Sequence, residues 1–104
     1  MPDTQRELAT CPRIESGFRL LGKRWTGLIV ATLLQRDARF TELAQAIPRI
    51  SERMLSERLH ELEAEGIVAR DVDPGSPVRV SYALTERGQA LEPVIEALRR
   101  WADA

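Results

Sequence analysis

Cysteine and histidine occur once each in this chain, at Cys11 and His60, and that scarcity excludes several chemistries together. A single thiol cannot close an internal disulfide or build a thiolate zinc cage, and a single imidazole cannot complete a His-rich metal site. Neither a structural metal nor a cofactor is expected. Long apolar runs are missing as well. The longest uncharged stretch, Trp25 to Gln35, is far short of the roughly 20 residues that a bilayer crossing requires, and the polar start MPDTQRELAT lacks the apolar core of a signal peptide. The expectation is a cytoplasmic protein with no membrane partner. Lysine is nearly absent, since Lys23 is the only one among 15 basic residues, and net charge is small at −1. With 104 residues, 43% of them hydrophobic, the chain has room for one compact domain over 1–104, in which 1–10 is expected to be a flexible or dimer-arm segment. A large multi-layer enzyme does not fit that length.

The small net charge hides an asymmetry. Segments 1–35, 36–60, 61–84 and 85–104 carry +2, +1, −3 and −1, so the positive charge lies early and the acid late. That distribution permits a polyanionic partner without demanding one. Arginine suits bidentate contacts to phosphate or guanine, although an arginine-rich genome gives the same composition.

The hydrophobic pattern orders the elements. Cys11, Ile14, Phe18 and Leu21 recur at helical spacing behind Pro12, which predicts a first helix from Pro12 to Leu21. WTGLIVATLLQ is apolar nearly all round and predicts a buried second helix ending near Arg36, with Trp25, Leu28, Ile29, Thr32 and Leu33 inward. DARF has room only for a short strand. TELAQAIP reads as a short helix over 41–47, stopped by Pro48. Ser51 then caps a fourth helix of about 15 residues that Gly66 ends. On this helix Leu55, Leu59, Leu62 and Met54 share one face, while Arg53, Ser56, Glu57 and His60 lie opposite. IVARDV, the turn cluster DPGSP and VRVSYAL form a β-hairpin, after which Thr85 is placed to cap a last helix carrying Leu91, Val94, Ile95, Leu98 and Trp101.

A short helix, a tight turn and a helix with a free polar face make a helix-turn-helix, and the hairpin behind it is a wing. The predicted fold class is mainly α with a small β-hairpin wing, a winged helix-turn-helix dimerising through its terminal helices. The ordered motifs CP at 11–12, LLGKRWTGLIV at 20–30, RFTELAQAIPRIS at 39–51, MLSERLHELEAEGIVAR at 54–70, PVRVSYALTERG at 77–88 and RRW at 99–101 also carry a resemblance. Across residues 11–101 the chain resembles the HxlR-type transcriptional regulators, a winged helix-turn-helix branch related to the MarR repressors. The resemblance implies a dimeric, sequence-specific regulator that binds double-stranded DNA and often answers thiol-reactive or oxidant signals through a cysteine near the N-terminus.

Candidate DNA contacts follow from the elements. Arg53 and Ser56 start the exposed face of the fourth helix, where the position in the motif favours DNA over a merely solvated face, and Glu57 and His60 further along it fit either reading. Ser51 has a cap role in any case, and its place at a helix start also suits a phosphate. Thr41 and Arg39 stand at the bracing helix, where Thr41 is either an N-cap or a phosphate contact. Ser76 and Arg79 are the wing candidates, against a loop that is merely solvated. Arg58 sits between faces, within reach of Glu61 or Glu65, and Arg70 and Asp71 could pair with each other. Cys11, just before Pro12, falls at a helix N-cap where the dipole and Arg13 favour thiolate, although a lone cysteine on an apolar line is also a common inert residue. With one cysteine, a switch there requires an intersubunit disulfide, a mixed disulfide or another adduct. Trp25 and Trp101 lie on apolar stripes and are expected in the core or at an interface. Ile14 and Phe18 with Leu91, Val94, Ile95, Leu98 and Trp101 are the expected dimer surface, because a helix so apolar would leave a patch on a monomer. The resulting function is a DNA-binding regulator, expected to be a repressor with a small-molecule or oxidant inducer and no enzymatic activity. The alternative is a winged helix used only to bind proteins.

Overall fold

The computed structural model describes residues 7–104, so residues 1–6 of the expected arm lie outside the described residues. The order is α1 (Pro12–Leu21), α2 (Thr26–Gln35), β1 (Ala38–Arg39), α3 (Phe40–Ala46), α4 (Glu52–Ala64), β2 (Val68–Asp73), β3 (Arg79–Leu84), α5 (Glu86–Gln89) and α6 (Glu92–Asp103). The strands form an antiparallel sheet in the order β1-β3-β2. This is the expected arrangement, with DARF supplying the short strand that pairs Ala38 with Tyr82 and Arg39 with Ser81.

The core gathers Ile29, Val30 and Leu33 of α2, Leu43 of α3, Leu55, Leu59 and Leu62 of α4, then Ile47, Ile67, Val68, Tyr82 and Leu84. The inward arc of α2 differs from expectation. Trp25 precedes the helix as its N-cap in a left-handed conformation (φ 81°) and is only half-buried, and Leu28 is exposed. Thr26 and Val30 are buried in their place, while Thr32 is half-buried and donates its hydroxyl to the Leu28 carbonyl at 2.7 Å. A helix apolar all round carries no stripe that could have told which arc faces in.

α4 is built as its sequence requires, though at 13 residues it is slightly shorter than expected. The Ser51 hydroxyl accepts from the Met54 N–H at 3.0 Å, which satisfies one orphan donor of the first turn. At the other end Gly66 takes a φ of +73°, and the Gly66 and Ile67 amides return to the Glu63 and Leu62 carbonyls at 3.0 and 2.9 Å. That paired closure needs the left-handed residue, which Gly supplies without a Cβ penalty.

The last helix is not continuous from Thr85. The Thr85 hydroxyl accepts from the Gly88 N–H at 3.1 Å, capping the single turn α5, and a second start at Leu91 opens α6. Pro93 sets that restart, because it offers no N–H to the turn before it and fits a first helical turn. Gly88 holds α5 against the hairpin, since a Cβ there would stand 2.3 Å from the Ile67 carbonyl oxygen. Neither α1 nor α6 contains a buried residue, and Ile14, Phe18, Val94, Leu98 and Trp101 are all exposed. Trp101 is thus no part of this chain's core. Among the described residues no helix is long and apolar enough to cross a membrane.

Candidate nucleic-acid interface

α4 presents two faces because its apolar residues recur at three and four positions. Leu55, Leu59 and Leu62 are buried, whereas Arg53, Ser56, Glu57 and His60 are exposed, as the projection predicts. Ser51 is exposed at the helix start with its hydroxyl engaged in the cap. None of the side chains of Arg53, Ser56, Glu57 or His60 makes a hydrogen bond or ion pair to another described residue.

The C-terminal half of the helix is organised differently. Lys23 and Arg58 both pair with the Glu61 carboxylate, Arg58 at 2.6 Å, and the Arg58 Nε donates to the Arg24 carbonyl at 3.0 Å. Of the two partners open to Arg58, Glu61 is the one it holds. The Glu61 carboxyl is held below the usual carboxylate range, chiefly by the Lys23 ammonium and then by Arg58, against its partial burial. This cluster fixes the α1–α2 turn to the far end of α4, so half of the helix is committed within the chain and half is free.

The start of α3 corrects one expectation. The N-cap is Arg39, and Thr41 is the second helical residue, exposed and without a capping bond. Glu42 performs the capping instead. Its carboxylate accepts from the Arg39 N–H at 2.9 Å and from Arg36 at 2.7 Å, which lowers its pKa to about 2, first through Arg36 and then through the Arg39 amide. A carboxylate three residues inside a helix start reaches back to the cap residue, a signal present in the sequence at Glu42, and of the two readings of Thr41 the N-cap is the one removed.

The wing reaches the same region. Arg39 pairs in register with Ser81, and Arg79, two residues before Ser81, shares its face of the sheet. An open groove lined by Arg39, Phe40, Thr41, Pro77, Val78, Arg79 and Val80 joins the start of α3 to the base of the wing. Ser76 lies at the exposed tip, apart from that groove. Asp73 faces Arg79 across the hairpin and its carboxylate accepts from the Gly75 N–H at 3.1 Å. Arg70 and Asp71 are consecutive on β2, hence on opposite faces, and form no ion pair among the described residues. A further basic residue that the sequence reading passed over, Arg49, stands exposed in the turn between α3 and α4 at a φ of 69°.

Cys11 is the α1 N-cap, extended (φ −97°, ψ 120°) and exposed, as expected from Pro12. Its side chain makes no cap bond, and the neighbouring Thr10 hydroxyl donates to Glu15 at 3.2 Å. Ile14 and Phe18 extend the apolar face from there. A second apolar groove, lined by Ile14, Phe18 and Leu21 of α1 with Leu91 and Val94, sets α1 beside α6. Among the described residues no group of three or more His, Cys, Asp or Glu is placed to hold a metal ion.

Comparison with known proteins agrees with this geometry. The family described as HxlR-like helix-turn-helix matches residues 20–104. The chain is 53% identical over 93 residues to the HTH-type transcriptional regulator YodB of Bacillus subtilis, covering 89% of this chain and 83% of that protein. The reduced form of YodB superposes with a TM-score of 0.81 at 52% identity, over 91% of this chain and 93% of that one. The diamide-treated YodB gives 0.77 at 52% identity, over 90% and 93%.

Proposed function

Because the chain belongs to the HxlR-like helix-turn-helix family and is a DNA-binding transcriptional regulator, we propose that it is a two-fold dimer that occludes a promoter by setting two copies of α4 in successive major grooves of a pseudo-palindrome. The observation that carries this reading is the divided helix α4: its leucine side is buried, its C-terminal half is tied to the α1–α2 turn through Lys23 on Glu61 and Arg58 on the Arg24 carbonyl, and the N-terminal polar face is left uncommitted. Arg53 suits bidentate bonding to guanine and Ser56 a base edge or phosphate, while Glu57 can accept from cytosine and His60 completes the face. Ser51, Arg39 and Thr41 meet the phosphates beside the groove. Ser76 and Arg79 bring the wing to the flanking backbone.

Dimerisation joins the apolar faces of α1 and α6, through the exposed Ile14, Phe18, Val94, Leu98 and Trp101, with Leu91 and Ile95, half-buried against the chain's own core, at their edge. Cys11 opens α1 on that surface. It is the thiol through which an oxidant or electrophile acts, a reading supported by the treatment of the related YodB with diamide. The protein works in the cytoplasm, without catalysis. The test is fluorescence anisotropy with DNA from upstream of its own gene across a salt series. Wild-type affinity should fall steeply with salt, and Arg53→Ala should lose about 1–3 kcal/mol per half-site together with the operator footprint. Salt-independent binding, or an unchanged footprint in the variant, would overturn the assignment.

A further inference from the structure

We propose that Arg49 is a DNA-backbone contact that anchors the start of α4, an inference that rests on the DNA-binding reading above. Arg49 and Trp25 are the two non-glycine residues with positive φ among those described, at 69° and 81°. This left-handed region is free to glycine and strained for a residue with a Cβ. For Trp25 the chain supplies the compensation: its ring packs on the hydrophobic core and the Arg24 guanidinium lies over it at 4.5 Å. Arg49 has no such return. It is exposed and makes no hydrogen bond or ion pair among the described residues. Lys23, Arg36, Arg58 and Arg99, in contrast, each hold a carboxylate.

A strained turn that glycine would fill without penalty therefore keeps a guanidinium for which folding has no use. What it serves lies outside the chain. The position selects the partner, since Arg49 stands two residues before the Ser51 cap and four before Arg53, at the end of α4 whose polar face is uncommitted. The guanidinium fork matches phosphate oxygens, and contacts of this kind fix register on a duplex without reading its sequence. Arg49 thus positions α4 for Arg53 and Ser56 to read bases.

The test compares wild type, Arg49→Gly, Arg49→Lys and Arg53→Ala, in thermal unfolding and in anisotropy across a salt series. The probes are a duplex selected by the wild-type protein from a random pool and an unrelated duplex of equal length. Arg49→Gly should melt at or above wild type, because the strain is relieved. It should bind both duplexes more weakly, by roughly fivefold per half-site at about 0.15 M salt, with a salt slope smaller by about one per half-site. Arg49→Lys should keep most of that slope. Wild-type affinity and slope in Arg49→Gly, with operator binding lost in Arg53→Ala, would overturn the role of Arg49 alone. If both variants bind as wild type, the assignment of this face to DNA falls, and Arg49 with it. A lower melting temperature in Arg49→Gly would make the residue structural and likewise overturn the proposal.

Discussion

Replacing Leu98 with Glu should separate the proposed dimer. Leu98 stands 58% exposed on α6, between Val94 at 50% and Trp101 at 76%, so the isolated chain leaves a continuous apolar stripe in water. Complete burial of a leucine is worth about 1.5–3 kcal/mol, and with more than half the side chain still exposed, pairing recovers about 1–2 kcal/mol per copy. Two-fold symmetry counts the site twice, giving about 2–4 kcal/mol per dimer. A carboxylate at the same position must also lose water without a partner, at a further 1–3 kcal/mol or so in each copy. The total, about 4–10 kcal/mol, weakens the dimer by several hundredfold or more. Leu98→Ala, which removes only the burial, should weaken it by tens to several hundredfold. Sedimentation velocity over a micromolar concentration series reads both, with circular dichroism to confirm that the winged helix itself remains folded. Leu98→Glu sedimenting as a wild-type dimer, or the wild type remaining monomeric throughout, would refute the pairing of these faces.

Diamide should weaken operator binding by the wild type and leave Cys11→Ser unaffected; if the two respond alike in anisotropy, Cys11 is structural and any signal enters elsewhere. Gly88→Ala should destabilise by about 1–3 kcal/mol, because its methyl group meets the Ile67 carbonyl and the Leu84 side chain, and a thermal melt equal to wild type would show that α5 shifts at no penalty. Glu42 has its carboxyl depressed from 4.5 to about 2, so the stability it contributes is present above 4.5 and is lost as pH falls toward 2. The melting temperature should therefore decline over that interval more steeply in the wild type than in Glu42→Gln, and parallel profiles would remove the Arg36–Glu42 cap from the account.

The elements that were legible in the sequence are those with one apolar stripe and one polar face. α4 is the clearest, since Leu55, Leu59 and Leu62 at helical spacing, Ser51 before them and Gly66 after them each act locally and agree. Where an element lacked that contrast, or a break interrupted it, local signals failed. In α2 the burial of Val30 and the exposure of Leu28 depend on which neighbours cover an all-apolar helix. At the C-terminus the stripe from Leu91 to Trp101 suggested one helix from Thr85, whereas Pro93 and the tight seat of Gly88 divide it. At the site, the face holding Arg53 and Ser56 was visible from spacing, but Arg49 was not, because no sequence pattern announces an arginine in a glycine conformation.

Net charge was the weakest guide to function, because a total does not say where the unpaired charges stand. A total of −1 suggests a poor ligand for a polyanion, and pairing Glu42, Glu61, Glu96 and Asp103 with Arg36, Lys23, Arg58 and Arg99 takes four charges of each sign and leaves that total as it was, so position decides. Glu61, which would otherwise repel a phosphate from α4, faces two cations and stays within the chain's own network. Arg39, Arg49, Arg53 and Arg79 hold no carboxylate among the described residues. They lie at the start of α3, in the turn, at the start of α4 and at the base of the wing, which are the parts that meet a duplex in this fold. On the proposed mode of binding, a few placed guanidinium groups govern affinity and not a broad field. The salt dependence should accordingly correspond to a small, countable number of phosphates in each half-site, and arginine-to-alanine changes outside these positions, such as Arg87→Ala, should leave its slope unchanged.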